Sequence, residues 1–471
     1  MRTIFNEKSE LFKNMIKGMD IAVLGLGISN VPAIKFLSEC GANICGCDKR
    51  YEEDFDKSVL ELLKKYCSKL VLGNDYLDYL EDYKMIIKSP GIKILTPQIQ
   101  KAISNGIKVT SEIEIFVKLC PCKIIGITGS DGKTTTTTLI SEMLKRGGYK
   151  VHVGGNIGKP LLDKIDTINS DDIVVLELSS FQLQSMHVSP SVAVITNITP
   201  NHLDYHSDME EYTEAKKNIY KFQKSDNCRL ILNADNKITA SIENEYKFEA
   251  EMFSRQKETN GAYFKDNDVY YKGKQILHIS DIKIKGMHNV ENYLAAICAV
   301  GPFVKDVDIK YVARNFGGVE HRMEFVRKID EISFYNDSIG SSPTRTIAGL
   351  EAQPVGKMVL IAGGYDKHLS FEKLADKIVE KVNCVVLMGA TAKKIENAIL
   401  KSAGIKAKYP AVTVKDMESA VKTAYALAKG LKDDEEQEVS VIFSPACASF
   451  DMYKNFEERG KHFKSVVKEL K

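Results

Sequence analysis

Residues 124 to 138 read Ile-Ile-Gly-Ile-Thr-Gly-Ser-Asp-Gly-Lys-Thr-Thr-Thr-Thr-Thr. The apolar run Ile124 to Ile127 has the form of a buried strand. Gly129, Ser130, Asp131 and Gly132 make a turn with little side chain. Lys133 and Thr134 then open a segment, Leu139 to Lys145, with helical spacing. Strand, glycine turn, Lys-Thr, helix is the arrangement that cradles phosphates, because backbone N–H groups and the positive end of the helix face the anion. The lysine adds a point charge, and the first threonine hydroxyl can ligate Mg²⁺. The strict pattern asks for glycine five positions before Gly132, where Ile127 stands. Glycine turns between strand and helix also occur without a ligand, but Gly-Lys-Thr straight after an apolar strand favours phosphate.

A chain of 471 residues is too long for one ordinary core, so about three domains are expected. With 44% apolar and 27% charged residues it has the make-up of a globular protein. The 65 Lys and Arg nearly balance 63 Asp and Glu. That leaves no field for nucleic acid or an anionic membrane, and neither partner is expected. No apolar run approaches the roughly 20 residues a bilayer span needs. The mixed polar start, Met1 to Glu10, is unlike a signal peptide. A cytoplasmic protein is therefore expected. Ten cysteines are scattered, none spaced Cys-x-x-Cys; Cys45-Gly-Cys47 and Cys120-Pro-Cys122 come closest. They read as reduced thiols, with no disulfide or zinc site.

The first unit, residues 1–110, reads as a small α/β domain. Asp20 to Gly25 forms a strand entering Gly25-Leu-Gly27-Ile28-Ser29-Asn30, a partial dinucleotide fingerprint whose third glycine is replaced by Asn30. A second strand, Asn43 to Cys47, runs into Asp48-Lys49-Arg50. Acid and base at a strand end suit a ribose or a nucleotide diphosphate, and equally a solvated turn. Strands at Lys69 to Leu72 and Met85 to Lys88 follow, the latter leading into the rigid turn Ser89-Pro90-Gly91.

The second unit, residues 111–317, carries the glycine turn. Asp172 to Leu178 is nearly all apolar, as a buried parallel strand should be, and Val192 to Thr196 follows it. The carboxyl ends of parallel strands share one rim, and ligands bind there. Gly132, Glu177 and His202 should therefore gather together. A buried glutamate at a strand end needs a partner, a cation being the obvious one. His202 alone suits a capping role; beside a Mg²⁺–phosphate turn, ligation is favoured. Ser207-x-x-Glu210 has the form of a capping box opening a helix. At about 100° per residue from Tyr212, Ile219, Ala215, Phe222 and Tyr220 define an apolar arc, Lys216 falls inside it, and Lys217 points to water. A lysine on a buried face either snorkels out or loses its proton to desolvation. A neutral amine reacts with CO₂ to a carbamate, which would make Lys216 an oxygen ligand for Mg²⁺. Residues 229 to 285 show short strands and polar loops. Asn289 can cap the helix that runs to Val300, and Asn292 on the same face could read an adenine edge.

The third unit, residues 318–471, opens with Glu320-His321-Arg322. Strands at Phe325 to Arg327, Ile332 to Tyr335, Met358 to Ala362, Cys384 to Met388 and Val439 to Phe443 alternate with helical segments, which means a second parallel α/β sheet. Loops at strand ends carry Asn336-Asp337-Ser338, Gly363-Gly364-Tyr-Asp366-Lys367 and Ser444 to Phe450. The charged run Asp433 to Glu438 reads as a solvated loop.

Taken in order, T-G-S-D-G-K-T-T, G-G-N-I-G (154–158), E-L-S-S-F-Q-L (177–183), T-P-N-H-L-D (199–204), E-A-K (214–216), H-N-V-E-N (288–292), E-H-R-M-E (320–324), N-D-S (336–338) and S-P-A-C-A-S-F-D (444–451) resemble the Mur ligases over essentially the whole chain. The string through Lys454-Asn455-Phe456-Glu457-Glu458-Arg459-Gly460 points within the family to the branch that adds D-glutamate to UDP-N-acetylmuramoyl-L-alanine. The third-position diamino acid branch would carry an Asp-Asn-Pro-Arg string in its last domain, which this chain lacks. The resemblance implies an α/β fold of three domains: a Rossmann-like UDP-substrate domain, a central P-loop ATPase-like domain with a mostly parallel sheet, and a C-terminal Rossmann-like domain. It implies a monomeric ATP-dependent ligase of peptidoglycan precursor synthesis that works through an acyl phosphate with two Mg²⁺ ions.

The same resemblance implies roles for single residues. ATP phosphates would lie on Gly129, Ser130, Asp131, Gly132, Lys133, Thr134, Thr135 and Thr136, with Asn292, Arg322 and Asp337 on the nucleotide. Thr134, Glu177, His202 and a carbamylated Lys216 would surround Mg²⁺, and Lys133, His202, Lys216 and Arg322 would be the catalytic set. The UDP-substrate would meet Gly27, Ile28, Ser29, Asp48, Lys49, Arg50, Ser89, Pro90, Gly91, Asn156 and Gln182. D-glutamate would meet Lys367, Ser449 and Phe456. Two departures stand out. Ile339 follows Ser338 where some relatives have lysine, with Arg345 a nearby substitute charge, and Asp131 stands where relatives often have Asn. Alternatives are a relative adding a different amino acid, including a folylpolyglutamate-type ligase, and a nucleotide-hydrolysing switch. A dinucleotide oxidoreductase would rest on Gly25-Leu-Gly27 alone.

Overall fold

The structure is a computed structural model that describes residues 6–471 except 28, 203–204, 285, 352, 354–355, 368, 405–408 and 433–437. Ile28, the Leu-Asp end of the 199–204 motif and nearly all of the charged run at 433 to 438 lie outside the described residues. The chain divides into two compact units, Met1–Phe316 and Gly317–Lys471.

The first unit holds two parallel sheets. Strands β1 (Asp20–Leu24), β2 (Asn43–Asp48), β3 (Lys69–Leu72), β4 (Met85–Lys88) and β5 (Lys108–Thr110) pair in the order β3-β2-β1-β4-β5. Strands β6 (Lys123–Thr128), β7 (Val151–Gly155), β8 (Ile173–Glu177), β9 (Val192–Ile195), β10 (Arg229–Asn233) and β11 (Glu251–Phe253) pair as β11-β10-β9-β6-β8-β7, again all parallel. The short strands expected across 229 to 285 resolve into β10, β11 and a separate antiparallel meander of β12 (Ala262–Lys265), β13 (Asp268–Tyr271) and β14 (Lys274–His278).

The central strands are apolar throughout because helices cover both faces. Ile125 and Ile127 of β6 pack with Val175 and Val194 beneath the helix Lys133–Arg146, whereas Ile124, Leu176, Ala193 and Ile195 face the opposite way. That opposite core does not stop at the second sheet. It continues through Ile113, Ile115, Phe116 and Leu119 of the helix Glu112–Leu119 to Ile21, Val23 and Ile87 under the first sheet. One apolar core thus joins the two sheets, which is why residues 1–316 form a single unit.

In the second unit β15 (Glu324–Ile329), β16 (Ile332–Asn336), β17 (Lys357–Ala362), β18 (Cys384–Leu387), β19 (Ala411–Thr413) and β20 (Val439–Phe443) pair as β15-β16-β20-β17-β18-β19. The sheet is parallel apart from β15, which runs antiparallel to β16. Alternation of strands and helices signals the parallel part. The hairpin comes from Asp330 and Glu331, both left-handed with φ of 49° and 63°, the turn that matches the twist of paired strands. All ten cysteines are free thiols, with Cys45 and Cys47 sulfurs 3.7 Å apart and Cys120 and Cys122 sulfurs 3.5 Å apart. Among the described residues no helix is long and apolar enough to cross a membrane.

Candidate active site

Strand β6 delivers the chain to the glycine turn at Thr128. Gly129 has φ 150°, and a Cβ there would stand 1.9 Å from the Thr196 hydroxyl. Gly132 has φ 78°, and a Cβ there would meet the Asn292 side-chain oxygen at 2.4 Å. The helix Lys133–Arg146 starts immediately after it. The loop leaving β9 straps this turn in place. Thr196 Oγ1 donates to the Asp131 carbonyl at 2.6 Å, the Asp131 N–H donates to Asn197 Oδ1 at 3.0 Å, and the Ser130 N–H donates to the Asn197 carbonyl at 2.9 Å. The Ser130 hydroxyl donates to the Thr199 carbonyl and accepts its N–H, each at 2.9 Å, and lies 3.0 Å from the Tyr212 hydroxyl. The turn is therefore held open before any phosphate arrives. Gly129→Ala should destabilise the chain by about 1–3 kcal/mol, since backbone and strap must both give. If the turn cradles phosphate, the variant should also bind ATP about tenfold or more weakly; unchanged affinity would show that it does not.

Two lysines converge on one oxygen. Lys133 Nζ donates to the carbonyls of Gly129 at 2.9 Å and Ser130 at 2.7 Å, and Lys216 Nζ donates to the same Gly129 carbonyl at 2.7 Å. Lys216 is 1% exposed and its nitrogen lies 4.6 Å from the centre of the Tyr212 ring. Burial holds its amine well below the usual lysine range, and Lys133 pushes it the same way, with Asp131 and Glu177 opposing. The expected inward face of this helix is observed, and Lys216 does not snorkel.

Glu177 ends β8, flanked by β6 and β7, in register with Ile127 on one side and Gly155 on the other. Buried there, it accepts from Thr134 Oγ1 and from Asn156 Nδ2, both at 2.7 Å. A buried carboxylate beside the first threonine hydroxyl is a pair of hard oxygen donors of the kind Mg²⁺ takes. Among the described residues no group of three or more His, Cys, Asp and Glu stands ready to hold a metal. An ion here would rely on Thr134, Glu177 and oxygens supplied by nucleotide or by a modified Lys216. His202 is exposed, left-handed at φ 55°, with its ring edge-on to Phe181 at 4.9 Å and 6.4 Å from Tyr212.

Three local readings are corrected. The helix Met209–Lys221 is capped by Asp208, which accepts the Glu211 N–H at 2.8 Å, while the Ser207 N–H goes to the Glu211 carboxylate. The cap is thus one residue later than Ser207, and the glutamate reaches back past it to the Ser207 N–H instead of closing a reciprocal box. Lys217 is not in water: Glu214 on the same helix pairs with it at 3.0 Å, and Glu245, a tertiary contact that helical phase does not contain, covers it at 2.6 Å. Asn289 does not cap its helix, Met287–Val300, which starts at Gly286; instead it accepts the Asn292 amide at 3.2 Å. Asn292 in turn accepts from Thr136 Oγ1 at 3.3 Å, placing it against the glycine turn.

At the rim of the first sheet, Asp48 and Arg50 satisfy each other. The Arg50 guanidinium donates to both Asp48 oxygens at 3.0 and 2.8 Å and to the Leu26 carbonyl at 2.9 Å, and Asp48 also accepts the Leu26 N–H at 2.7 Å. This pair fixes the turn that carries Gly27 and Ser29, and Lys49 is exposed beside it. Asn30, in the place of the third glycine, donates to the Leu24 and Gly25 carbonyls and closes the same turn. Ser89 packs so tightly on Gly25 that a Cβ there would be 2.4 Å from its hydroxyl. The Pro90 carbonyl accepts from the Tyr205 hydroxyl at 3.1 Å, tying the Ser89-Pro90-Gly91 turn to the second sheet's loops. Gln182 is turned inward, its carbonyl accepting from the Ser179 N–H and hydroxyl at 3.0 Å each.

In the second unit, Asp337 is buried at the end of β16, accepting from Ser444 Oγ at 2.6 Å and the Met323 N–H at 3.2 Å. Burial raises its carboxyl to about 6 against the pull of these donors. Arg322 and Arg345 are exposed, and Ile339 is half-buried, its N–H on the His321 carbonyl. The loops bearing Lys367 and Ser449 are joined by the Tyr365 N–H on the Ala448 carbonyl at 3.0 Å. Lys367 is exposed, Ser449 is buried, and Phe456 opens the last helix, Phe456–Glu469. Arg459, within the C-terminal string, has a structural part that its sequence context does not state. Buried at 1% exposure, it donates to the Ser338 hydroxyl and carbonyl and to the Ala448 carbonyl at 2.8 to 3.1 Å, clamping the loops around Ser338 and Ser449. A charged residue on the inward face of an amphipathic helix, beside Gly460 and Phe463, was the available signal.

Residues 19–111 match the Mur ligase MurD-like N-terminal domain, residues 127–300 the Mur ligase middle domain, and residues 321–444 the Mur ligase glutamate ligase domain. A UDP-N-acetylmuramoylalanine–D-glutamate ligase of Clostridium botulinum (strain Loch Maree / Type A3) is 50% identical over 463 residues, 98% of each chain. The chain belongs to the Mur ligase family. A relative of the same name from Clostridium novyi (strain NT) is 48% identical over the full length of both chains. Among solved structures, the UDP-N-acetylmuramate-alanine ligase MurC of Thermotoga maritima aligns over 96% of this chain and 99% of its own, with TM-score 0.54 and 18% identity. MurF of Acinetobacter baumannii aligns over 81% and 90%, with TM-score 0.54 and 17% identity. At those identities the likeness is one of fold, and it agrees with the three matched Mur ligase domains.

Proposed function

We propose that the chain is the ATP-dependent ligase that joins D-glutamate to UDP-N-acetylmuramoyl-L-alanine in peptidoglycan precursor synthesis, acting in the cytoplasm. The observation that carries this reading is 50% identity over 98% of both chains to a ligase of that name. The glycine turn, Glu177 and the two converging lysines supply the means. Lys133, now resting on two carbonyls of the turn, swings to the phosphates of ATP, and backbone N–H groups of Ser130 to Thr136 hold the anion. Asn292, lodged against Gly132, borders the nucleotide. Thr134, Glu177, His202 and a carbamylated Lys216 would hold Mg²⁺, which when bound neutralises charge on the transferring phosphoryl group.

The carboxylate of the UDP-linked substrate attacks the γ-phosphorus, the bond from phosphorus to the bridging oxygen breaks, and ADP leaves. Charge that spreads over the phosphoryl oxygens is met by Lys133. The amine of D-glutamate then attacks the carbonyl carbon of the acyl phosphate, the carbon–oxygen bond to phosphate breaks, and the amine gives up a proton. Ser449, Phe456 and Lys367 would bind D-glutamate, and Arg459 holds their loops. The turns at Gly27–Ser29, Asp48–Arg50 and Ser89–Gly91, with Asn156 and Gln182, would take the UDP-substrate. The test is phosphate release by the purified chain with ATP, Mg²⁺, UDP-N-acetylmuramoyl-L-alanine and a panel of amino acids. Release and amide product are expected with D-glutamate alone. Release without any amino acid would indicate a hydrolase, and product with L-lysine or diaminopimelate would move the chain to another branch.

A further inference from the structure

The order β3-β2-β1-β4-β5 reverses between β1 and β4. Chain leaving these two strands departs to opposite faces, so a crevice opens at their carboxyl ends, where doubly wound sheets take ligands. Lys88 is the last residue of β4 and pairs with Leu24, the last residue of β1. The residue is 1% exposed, and its amine donates to the Ser89 carbonyl at 3.3 Å. That contact holds the amine at the carboxyl end of β4, beside the start of the Ser89-Pro90-Gly91 turn. A buried amine held by one long hydrogen bond is costly, and a methionine of the same length would avoid the cost. Burial alone lowers it, to about 8, with no carboxylate offsetting the effect.

The residues expected to hold the nucleotide leave a charge to be supplied. Arg50 is committed to Asp48 and to the Leu26 carbonyl. Lys49 is exposed at the end of β2, on the far side of β1 from the crevice. We propose that Lys88 is a binding residue for the diphosphate of the nucleotide substrate, the positive charge this anion meets at the switch point between β1 and β4. The inference rests on the UDP-substrate reading above. A charge shielded from water acts on an anion through a low dielectric, so its effect is large for its distance. The uncompensated amine is then a binding device whose partner arrives with the ligand.

The experiment compares the full chain with Lys88→Met, using uridine diphosphate as probe in calorimetry and the complete reaction for kinetics. Uridine diphosphate should bind about tenfold or more weakly to the variant, as expected for a lost charge-assisted contact. KM for the UDP-substrate should rise in step, while kcat and the KM values for ATP and D-glutamate stay put. The unfolding midpoint should equal or exceed that of the wild type, which a merely structural lysine would not produce. Lys88→Gln is read the same way. Equal uridine diphosphate affinity in variant and wild type overturns the assignment, as does failure of both variants to fold. Wild-type turnover is run alongside: no product would sink the D-glutamate reading itself, whereas product with undiminished variant affinity sinks only the role of Lys88.

Discussion

Lys216→Ala is expected to lose on the order of a thousandfold in turnover, the scale seen when a preorganised group facing the transferring charge is removed. Acetate or formate should restore part of it, by placing a carboxylate where the carbamate would stand. Unchanged activity, or loss that no small carboxylate relieves, would end the carbamate reading. The same residue makes a second, thermodynamic signature. Its amine is held well below the lysine range by burial first and by Lys133 second. In the pH window between the folded pKa and about 10.4 the unfolded chain binds more protons than the folded one, so stability rises with pH. It falls as pH drops back through that window. In CO₂-free buffer, Lys216→Met should remove this slope and melt higher than the wild type near neutral pH. Parallel pH profiles in the two proteins would show that Lys216 keeps its proton.

Arg459→Lys should cost the second unit about 2–4 kcal/mol, from charge-assisted hydrogen bonds lost and buried carbonyls left unpaired. The planar guanidinium serves three acceptors at once, the Ser338 hydroxyl and carbonyl and the Ala448 carbonyl. An ammonium cannot reproduce that fork. The carbonyls left behind are buried, and each unpaired one adds its own penalty. Thermal unfolding followed by circular dichroism measures the loss, and KM for D-glutamate should rise in the surviving folded fraction because the Ser449 loop is no longer held. A lysine variant with wild-type melting would mean that the clamp is dispensable.

The parts of the site that the sequence made legible are those where local pattern carries the geometry. Gly129 to Thr134 announces its own backbone, since glycine at positive φ followed by Lys-Thr leaves few conformations. Glu177 could be placed because a parallel strand must end at the common rim. The phase of the helix Met209–Lys221 was enough to bury Lys216. It failed for Lys217, whose burial depends on Glu245 arriving from elsewhere in the chain. Helix ends shifted for a similar reason. Asp208 and Ser207 are both competent caps, and the choice between them rests on hydrogen bonds that residue identity does not rank. That Asp48 and Arg50 bond to each other was not legible, because a sequence does not show which charges already have partners. Arg459 went without a role for the converse reason: its acceptors are backbone carbonyls, which no sequence pattern advertises.

The apolar core running from Ile21 through Phe116 to Ile195 has a consequence for anyone building hybrids of Mur ligases. A junction at 110/111, where the strand pattern invites one, would set side chains of two parents face to face along the helix Glu112–Leu119. Each mismatch of volume there would cost as a core mutation does. The break at 316/317 severs no such core, for the apolar clusters of the second unit draw all their members from beyond it. Recombination should therefore tolerate exchange of the last 155 residues as a block, whereas the first sheet travels well only together with the second sheet it is packed upon.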